Sequence, residues 1–221
     1  IGVLACAVVF CTASALVIPA ISQEGTAHCG LEEHSHVAAC YVKTPVCGQE
    51  ESEDHQHVEE CYDSVLSCGK EEHAQELSCY SDPEADIETA ENWESTFSNA
   101  ELNGDCRHDV LEIAKSQLGY KESEKNYQVD ENGGAKGYTR YGAWCGDEYG
   151  DWSGMFVSFC LNYAKVDLVD GGKTCAEWIE ALSAAECDRY RDAAGYSPQQ
   201  GDLIFLDCNE DGQADQMGFV A

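Results

Sequence analysis

Six of the chain's seven histidines and six of its fourteen cysteines lie between residues 28 and 79, in a recurring order. Cys29-Gly30 leads to His34-Ser35-His36 and then Cys40-Tyr41. Cys47-Gly48 leads to His55-Gln56-His57 and Cys61-Tyr62, and Cys68-Gly69 leads to His73-Ala74-Gln75 and Cys79-Tyr80. The copies start 18 and 21 residues apart, because the second has three extra residues before its first histidine. Two cysteines and two histidines within a dozen or so residues are the donor set of a tetrahedral zinc site. In extended backbone His34 and His36 point to the same side, so both can reach one ion. The third copy carries Gln75 in place of the second histidine, leaving three good ligands and an open or weak fourth position. The other reading is one disulfide per copy, which suits an exported chain. Blocks this small and polar need a staple of one kind or the other.

Two further stretches could do chemistry. Asp151-Trp152-Ser153 runs into an apolar series, Met155, Phe156, Val157, Phe159, Cys160, Leu161 and Tyr163, that leaves no clearly polar face. This predicts a helix buried nearly all round. Ser153 at its start faces orphan N–H groups and the positive end of the dipole, where a cysteine would be primed for attack. The nearest substitutes are Cys145, expected in a loop, Cys160, expected in the core, and His108, expected as an exposed side chain. Separately, Asp207, Asn209, Asp211 and Asp215 stand at positions 1, 3, 5 and 9 around Gly212, matching the front of a calcium loop. The glutamate expected at position 12 is replaced by Gly218, and an acidic hairpin loop with an Asp-Gly turn is the alternative.

Asp-Trp-Ser-Gly-Met-Phe-Val-Ser-Phe-Cys, residues 151–160, resembles the nucleophile helix of CHAP-type proteins, cysteine- and histidine-dependent amidohydrolases and peptidases. It is also similar to the related NlpC-like branch of the papain-fold hydrolases. Gly201-Asp-Leu-Ile-Phe-Leu206 and Asp215-Gln-Met-Gly-Phe-Val220 resemble the family's two core strands, and Gln117-Leu-Gly-Tyr-Lys-Glu-Ser123 another of its segments. The Cys-Gly units look like repeats found ahead of CHAP-like domains in Gram-positive surface proteins. The resemblance implies an α+β, papain-like domain acting on peptidoglycan or its stem peptides. The nucleophile would stand at Ser153 in the CHAP register, or at Trp152 in the NlpC register, and the general base at Gln216. None of the three is the residue the chemistry needs. A serine hydroxyl requires an adjacent base, and a carboxamide cannot accept its proton. Losing either member of such a pair removes most of the rate. The sequence therefore predicts a hydrolase fold without its hydrolytic pair, acting in cell-wall binding or in interaction with other surface proteins. Tyr138, Tyr141 and Trp144, with Asp151 and Trp152, are the candidates to line its groove. The alternatives are an active cysteine-type peptidoglycan hydrolase and a metal-binding, adhesive surface protein.

The chain of 221 residues carries a formal charge of −30, of which −18 falls on residues 23–102 and −12 on 103–221. This argues against nucleic-acid binding, which needs cations on phosphates, and disfavours adhesion to anionic lipid. Residues 1–23 are uncharged and mostly apolar. They read as a secretory signal with its basic start missing, or as a membrane anchor. Either way the remainder is expected outside the cytoplasm, secreted or at the cell surface, touching membrane only through that segment. A first residue other than Met and an end in mid-strand pattern predict a piece of a longer protein, with strands of the papain-like domain still to come. Residues 24–80 are the repeats. Residues 81–102 read as an acidic linker whose Trp93 and Phe97 dock as one helical turn. Residues 103–221 form the CHAP-like domain. Within it Asp105 caps a helix with Cys106, Val110, Ile113, Ala114 and Leu118 inward and Gln117 at the edge. Residues 126–144 read as a loop. Thr174 and Glu177 form a capping box for a helix with Trp178, Ile179 and Leu182 inward.

Overall fold

The computed structural model describes residues 25–169, 171–184, 189–191 and 193–221. The segment 1–23, expected as signal or anchor, lies outside them. No helix among the described residues is long and apolar enough to cross a membrane. The chain divides into two compact units, Glu24–Tyr80 and one whose described part falls within Ser81–Ala221.

In the first unit, strand β1 (Tyr41–Pro45) pairs antiparallel with β2 (Tyr62–Leu66), Tyr41 opposite Leu66 and Pro45 opposite Tyr62. Each strand follows a short 3₁₀ turn that ends on a buried cysteine, Cys40 or Cys61, and a third such turn buries Cys79. The register has a consequence for the thiols. Ser67 N–H donates to the Cys40 carbonyl and Val46 N–H to the Cys61 carbonyl, both at 2.8 Å. The antiparallel ribbon thus delivers Cys68 to the Cys40 end and Cys47 to the Cys61 end. His34 and His73 exchange backbone hydrogen bonds of 2.8 and 2.9 Å, joining the first copy to the third. The glycine after each leading cysteine, Gly30, Gly48 and Gly69, has φ of 67–74°, a left-handed turn that favours a residue without Cβ. The ribbon side chains are otherwise largely exposed, and the three trailing cysteines are the buried hydrophobics of this unit.

The second unit is a mixture of helices and small antiparallel sheets, α+β in general terms. Its elements are α1 (Ala90–Thr96), α2 (Cys106–Ser116), β3 (Tyr127–Val129), β4 (Ala135–Gly137), α3 (Arg140–Cys145), α4 (Ser153–Tyr163), α5 (Cys175–Ser183), β5 (Leu203–Leu206) and β6 (Gln216–Phe219). β3 pairs with β4 and β5 with β6. The apolar α4 lies at the centre, against α2, α3, α5 and β6. Val157, Phe159 and Cys160 on it are fully buried. The Thr174 capping box with Glu177 starts α5, which buries Trp178 and Leu182.

The acidic stretch 81–102 groups with this unit, and its Trp93 and Phe97 dock from a short helix as the sequence leads one to expect. Thr89 and Asn92 form a capping box for α1, Trp93 is buried with its indole N–H donating to the Tyr163 hydroxyl at 3.0 Å, and Phe97 packs on Tyr163 and Phe159. α2 stops at Ser116, so its periodicity does not carry to Leu118, which is 66% exposed, while Gln117 turns inward to 6%. Cys106 is exposed as well, and buried Asp109 takes its place by accepting from the Asn103 and Gly104 N–H groups at 2.8 and 2.9 Å. The loop expected over 126–144 contains the β3–β4 hairpin and, from Arg140, helix α3. Thr139 caps α3 and Gly146, at φ 71°, ends it. Cys145 is consequently its last helical residue.

Candidate functional site

Nine of the cysteines and histidines of the first unit gather into three clusters, two of which cross between copies. Cys29 of the first copy meets His73 and Cys79 of the third, His34 and His36 of the first meet Cys68 of the third, and Cys47, His55 and His57 of the second close on themselves. His73 Nε2 lies 3.5 Å from both the Cys29 and Cys79 sulfurs. His34 Nε2 lies 3.5 Å from the Cys68 sulfur and 3.7 Å from that of Cys40. His55 Nε2 is 3.6 Å from Cys47 Sγ, and Cys61 is buried at the register equivalent to Cys40. The exchange between first and third copies corrects the copy-by-copy grouping: the antiparallel β1–β2 ribbon brings Cys68 to the first copy, and the His34–His73 bridge with the His28 N–H on the Cys79 carbonyl at 2.6 Å brings Cys29 to the third. These are groups that could hold a metal ion. Among the described residues, Cys29, Cys40, Cys47, Cys61, Cys68 and Cys79 form no disulfide.

The second position of each copy is held the same way. His36 Nε2 is 3.0 Å from the Lys70 carbonyl, His57 Nε2 is 2.9 Å from that of Gln49, and Gln75 Nε2 is 2.9 Å from that of Leu31. Each carbonyl stands two residues after the leading cysteine of its own cluster. A neutral imidazole that gives its Nε2–H to a carbonyl keeps a lone pair on Nδ1, the outer hydrogen bond that commonly fixes a metal-ligating histidine. The Nδ1 neighbours differ: the Tyr62 hydroxyl lies 3.2 Å from that of His57, and Glu72 lies 3.8 Å from that of His36. Gln75 instead turns its Oε1 to Cys29 Sγ at 3.6 Å. A backbone hydrogen bond from Leu31 holds the exposed Cys29 thiol below its ordinary pKa.

In the second unit Ser153 is the first residue of α4, and its hydroxyl lies 3.8 Å from the thiol of Cys175, the first residue of α5. Sequence reasoning missed Cys175, since nothing in the spacing 153 to 175 announces that two helix starts converge. Gly154 makes the approach possible: a Cβ there would overlap the Lys173 carbonyl oxygen. Burial pushes the Cys175 thiol up, the hydrogen bond with Ser153 pulls it partly back, and the carboxylates of Asp215 and Asp151 add to the rise. Gln216 begins β6, the strand packed on α4. Of the other substitutes, Cys160 is fully buried with its thiol driven well up by desolvation, and burial also raises Cys145. His108 points its Nδ1 at Asp109, 3.1 Å away.

The expected groove aromatics divide. Tyr141 is 1% exposed, stacked on Trp152 and edge-on to Phe156 and Phe159, so it belongs to the core and lines no groove. Trp144 packs edge-on to Phe159. Tyr138, also buried, borders a cleft of about 550 Å³ with Tyr120, Lys121, Glu122 and Arg140. Asp151 is exposed and pairs with Lys136 at 2.9 Å. Gln117, read as an edge residue, is the hub beneath this cleft: its Oε1 accepts from Arg140 Nη1 at 2.9 Å and the Tyr141 hydroxyl at 3.3 Å. In the 207–215 loop the acidic oxygens accept from the loop itself. Asp207 takes the Asp211 and Gly212 N–H groups, Asp211 that of Gln213, and Asp215 that of Cys208. Asn209 bridges Asp211 and Asp215 through its amide.

No family model, curated protein or solved structure matches this chain.

Proposed function

We propose that Glu24–Tyr80 is a zinc-stapled module of an exported cell-surface protein, and that Ser81–Ala221 is a papain-like, CHAP/NlpC-like domain that binds peptidoglycan or its stem peptides without hydrolysing them. The zinc reading rests on one observation, the 3.5–3.7 Å separation of a single imidazole nitrogen from two sulfurs at both His73 and His34. An ion bonded tetrahedrally to sulfur at about 2.3 Å and nitrogen at about 2.0 Å holds such donors about 3.5 Å apart. A disulfide would draw two sulfurs to about 2.05 Å and leave the imidazole without a role. Magnesium and calcium prefer oxygen donors, so the sulfur and nitrogen set favours zinc. Chelation of the purified, reduced chain is expected to release zinc and unfold Glu24–Tyr80 together. Retention of structure after complete removal would overturn the reading.

The non-hydrolytic reading of the second unit is supported by the surroundings of Ser153. Its hydroxyl neighbours a thiol whose pKa burial raises above the ordinary thiol value despite the hydrogen bond with Ser153, and Asp215 already accepts hydrogen bonds from its own loop. A protonated thiol and a carboxamide cannot take a hydroxyl proton. Purified cell-wall sacculi should be bound and left uncut by the wild-type chain and by Ser153→Ala alike. Joint Ser153→Cys and Gln216→His substitution should confer release of soluble fragments. Release by the wild type that Ser153→Ala abolishes would contradict the proposal.

A further inference from the structure

The three clusters share one scaffold, and in one of them a glutamine stands where the others carry a second histidine. In each, the side chain at the second position is tied by its N–H to the carbonyl two residues after the leading cysteine, at 2.9–3.0 Å. The tie does a different thing to a histidine than to a glutamine. An imidazole anchored by Nε2–H keeps a nitrogen lone pair for the ion. A carboxamide anchored by its NH₂ has only its oxygen left, and Gln75 Oε1 indeed stands 3.6 Å from Cys29 Sγ. Amide oxygen is a hard donor, poorly matched to a centre already holding two thiolates and an imidazole.

We infer that the Cys29–His73–Cys79 centre keeps one coordination position exchangeable, with Gln75 Oε1 or water as its resting occupant, and that a neutral nitrogen donor of the imidazole class takes that position. The inference rests on the zinc reading above and adds to it which centre is open and to what. A zinc ion open at its fourth position is the arrangement that admits an outside ligand, whereas closed four-ligand sites do not. The donor is neutral for two reasons. Two thiolates already cancel the charge of the divalent ion. The chain around the centre is also acidic: Lys70 pairs with Glu32 at 2.8 Å, which leaves Glu33, Glu71, Glu72 and Glu76 close in sequence to its ligands, so an anion meets repulsion. Access comes from the Cys29 side, since Cys29 is exposed while Cys79 is buried at 6%.

The test replaces zinc with Co²⁺ in the full, reduced chain and follows the visible d–d absorption during titration with free imidazole. Three Co²⁺ should bind, and the bands of one of the three should shift saturably without loss of metal. Gln75→His should abolish the response while still binding three ions, and Gln75→Ala should retain it. Three bound ions with no spectral response to imidazole would overturn this inference and leave the zinc reading standing. A response that persists in Gln75→His would also overturn it. No bound metal at all would overturn both.

Discussion

Exchange of cluster partners between the first and third copies has a consequence that copy-by-copy wiring does not share. Cys68 lies in the third copy, yet its sulfur is 3.5 Å from His34 of the first. Cys68→Ser should therefore release His34 and His36 from metal and leave His73 bound. The magnitude follows from linkage. A ligand present at about a thousand times its dissociation constant stabilises the folded state by about 4 kcal/mol. The 57-residue unit Glu24–Tyr80 would have a total stability of roughly 3–9 kcal/mol at ordinary per-residue values. Loss of one ion thus removes a large share of the total, and the unit should be markedly less stable at micromolar free zinc and regain stability as zinc is raised. The assay is zinc stoichiometry together with imidazole nitrogen shifts from NMR at high zinc. The prediction is two ions retained, with metal-bound shifts at His55 and His73 and free shifts at His34 and His36. Free shifts at His73 with His34 still bound would refute the cross-copy arrangement.

Further outcomes concern the second unit. Trp93→Ala removes a buried indole and its hydrogen bond to Tyr163, and should cost about 3–5 kcal/mol, read as a fall of roughly 10 °C in Tm; a change within error would mean that 81–102 is a linker after all. Gly154→Ala puts a Cβ onto the Lys173 carbonyl and should separate the starts of α4 and α5, seen as faster alkylation of Cys175; unchanged reactivity would contradict the close approach. Asp109 is held below the usual carboxylate range, first by the Asn103 N–H. Its contribution is therefore present above the ordinary carboxylate pKa and lost as pH falls through the lowered value. Asp109→Asn should remove this acid-side dependence, and an unchanged denaturation profile below about pH 4 would argue against it.

Much of the second unit is legible because local signals and burial agree. The unbroken apolar run of α4, the Asp105 cap and the Thr174–Glu177 box each specify an element without help from distant residues. Where the reading departs, a distant partner decides. Gln117 looks like an edge residue until Arg140 and Tyr141 arrive to donate to it. Tyr141 looks like a groove aromatic until Trp152 stacks on it. The repeats carry the right ligands in plain view, but a linear pattern cannot say which thiol meets which imidazole. That depends on β1 and β2 running antiparallel, which sets the partners of Cys47 and Cys68, and on the His34–His73 bridge, which sets those of Cys29.

Native mass spectrometry of the full chain, purified without added reductant and sprayed intact, tests the central claim most directly. The account predicts three zinc ions per chain, each displacing two protons from its cysteine pair, with thiol counts restored on acidification. A metal-free chain lighter by two hydrogens for each of three cysteine pairs would contradict it and make the staples disulfides.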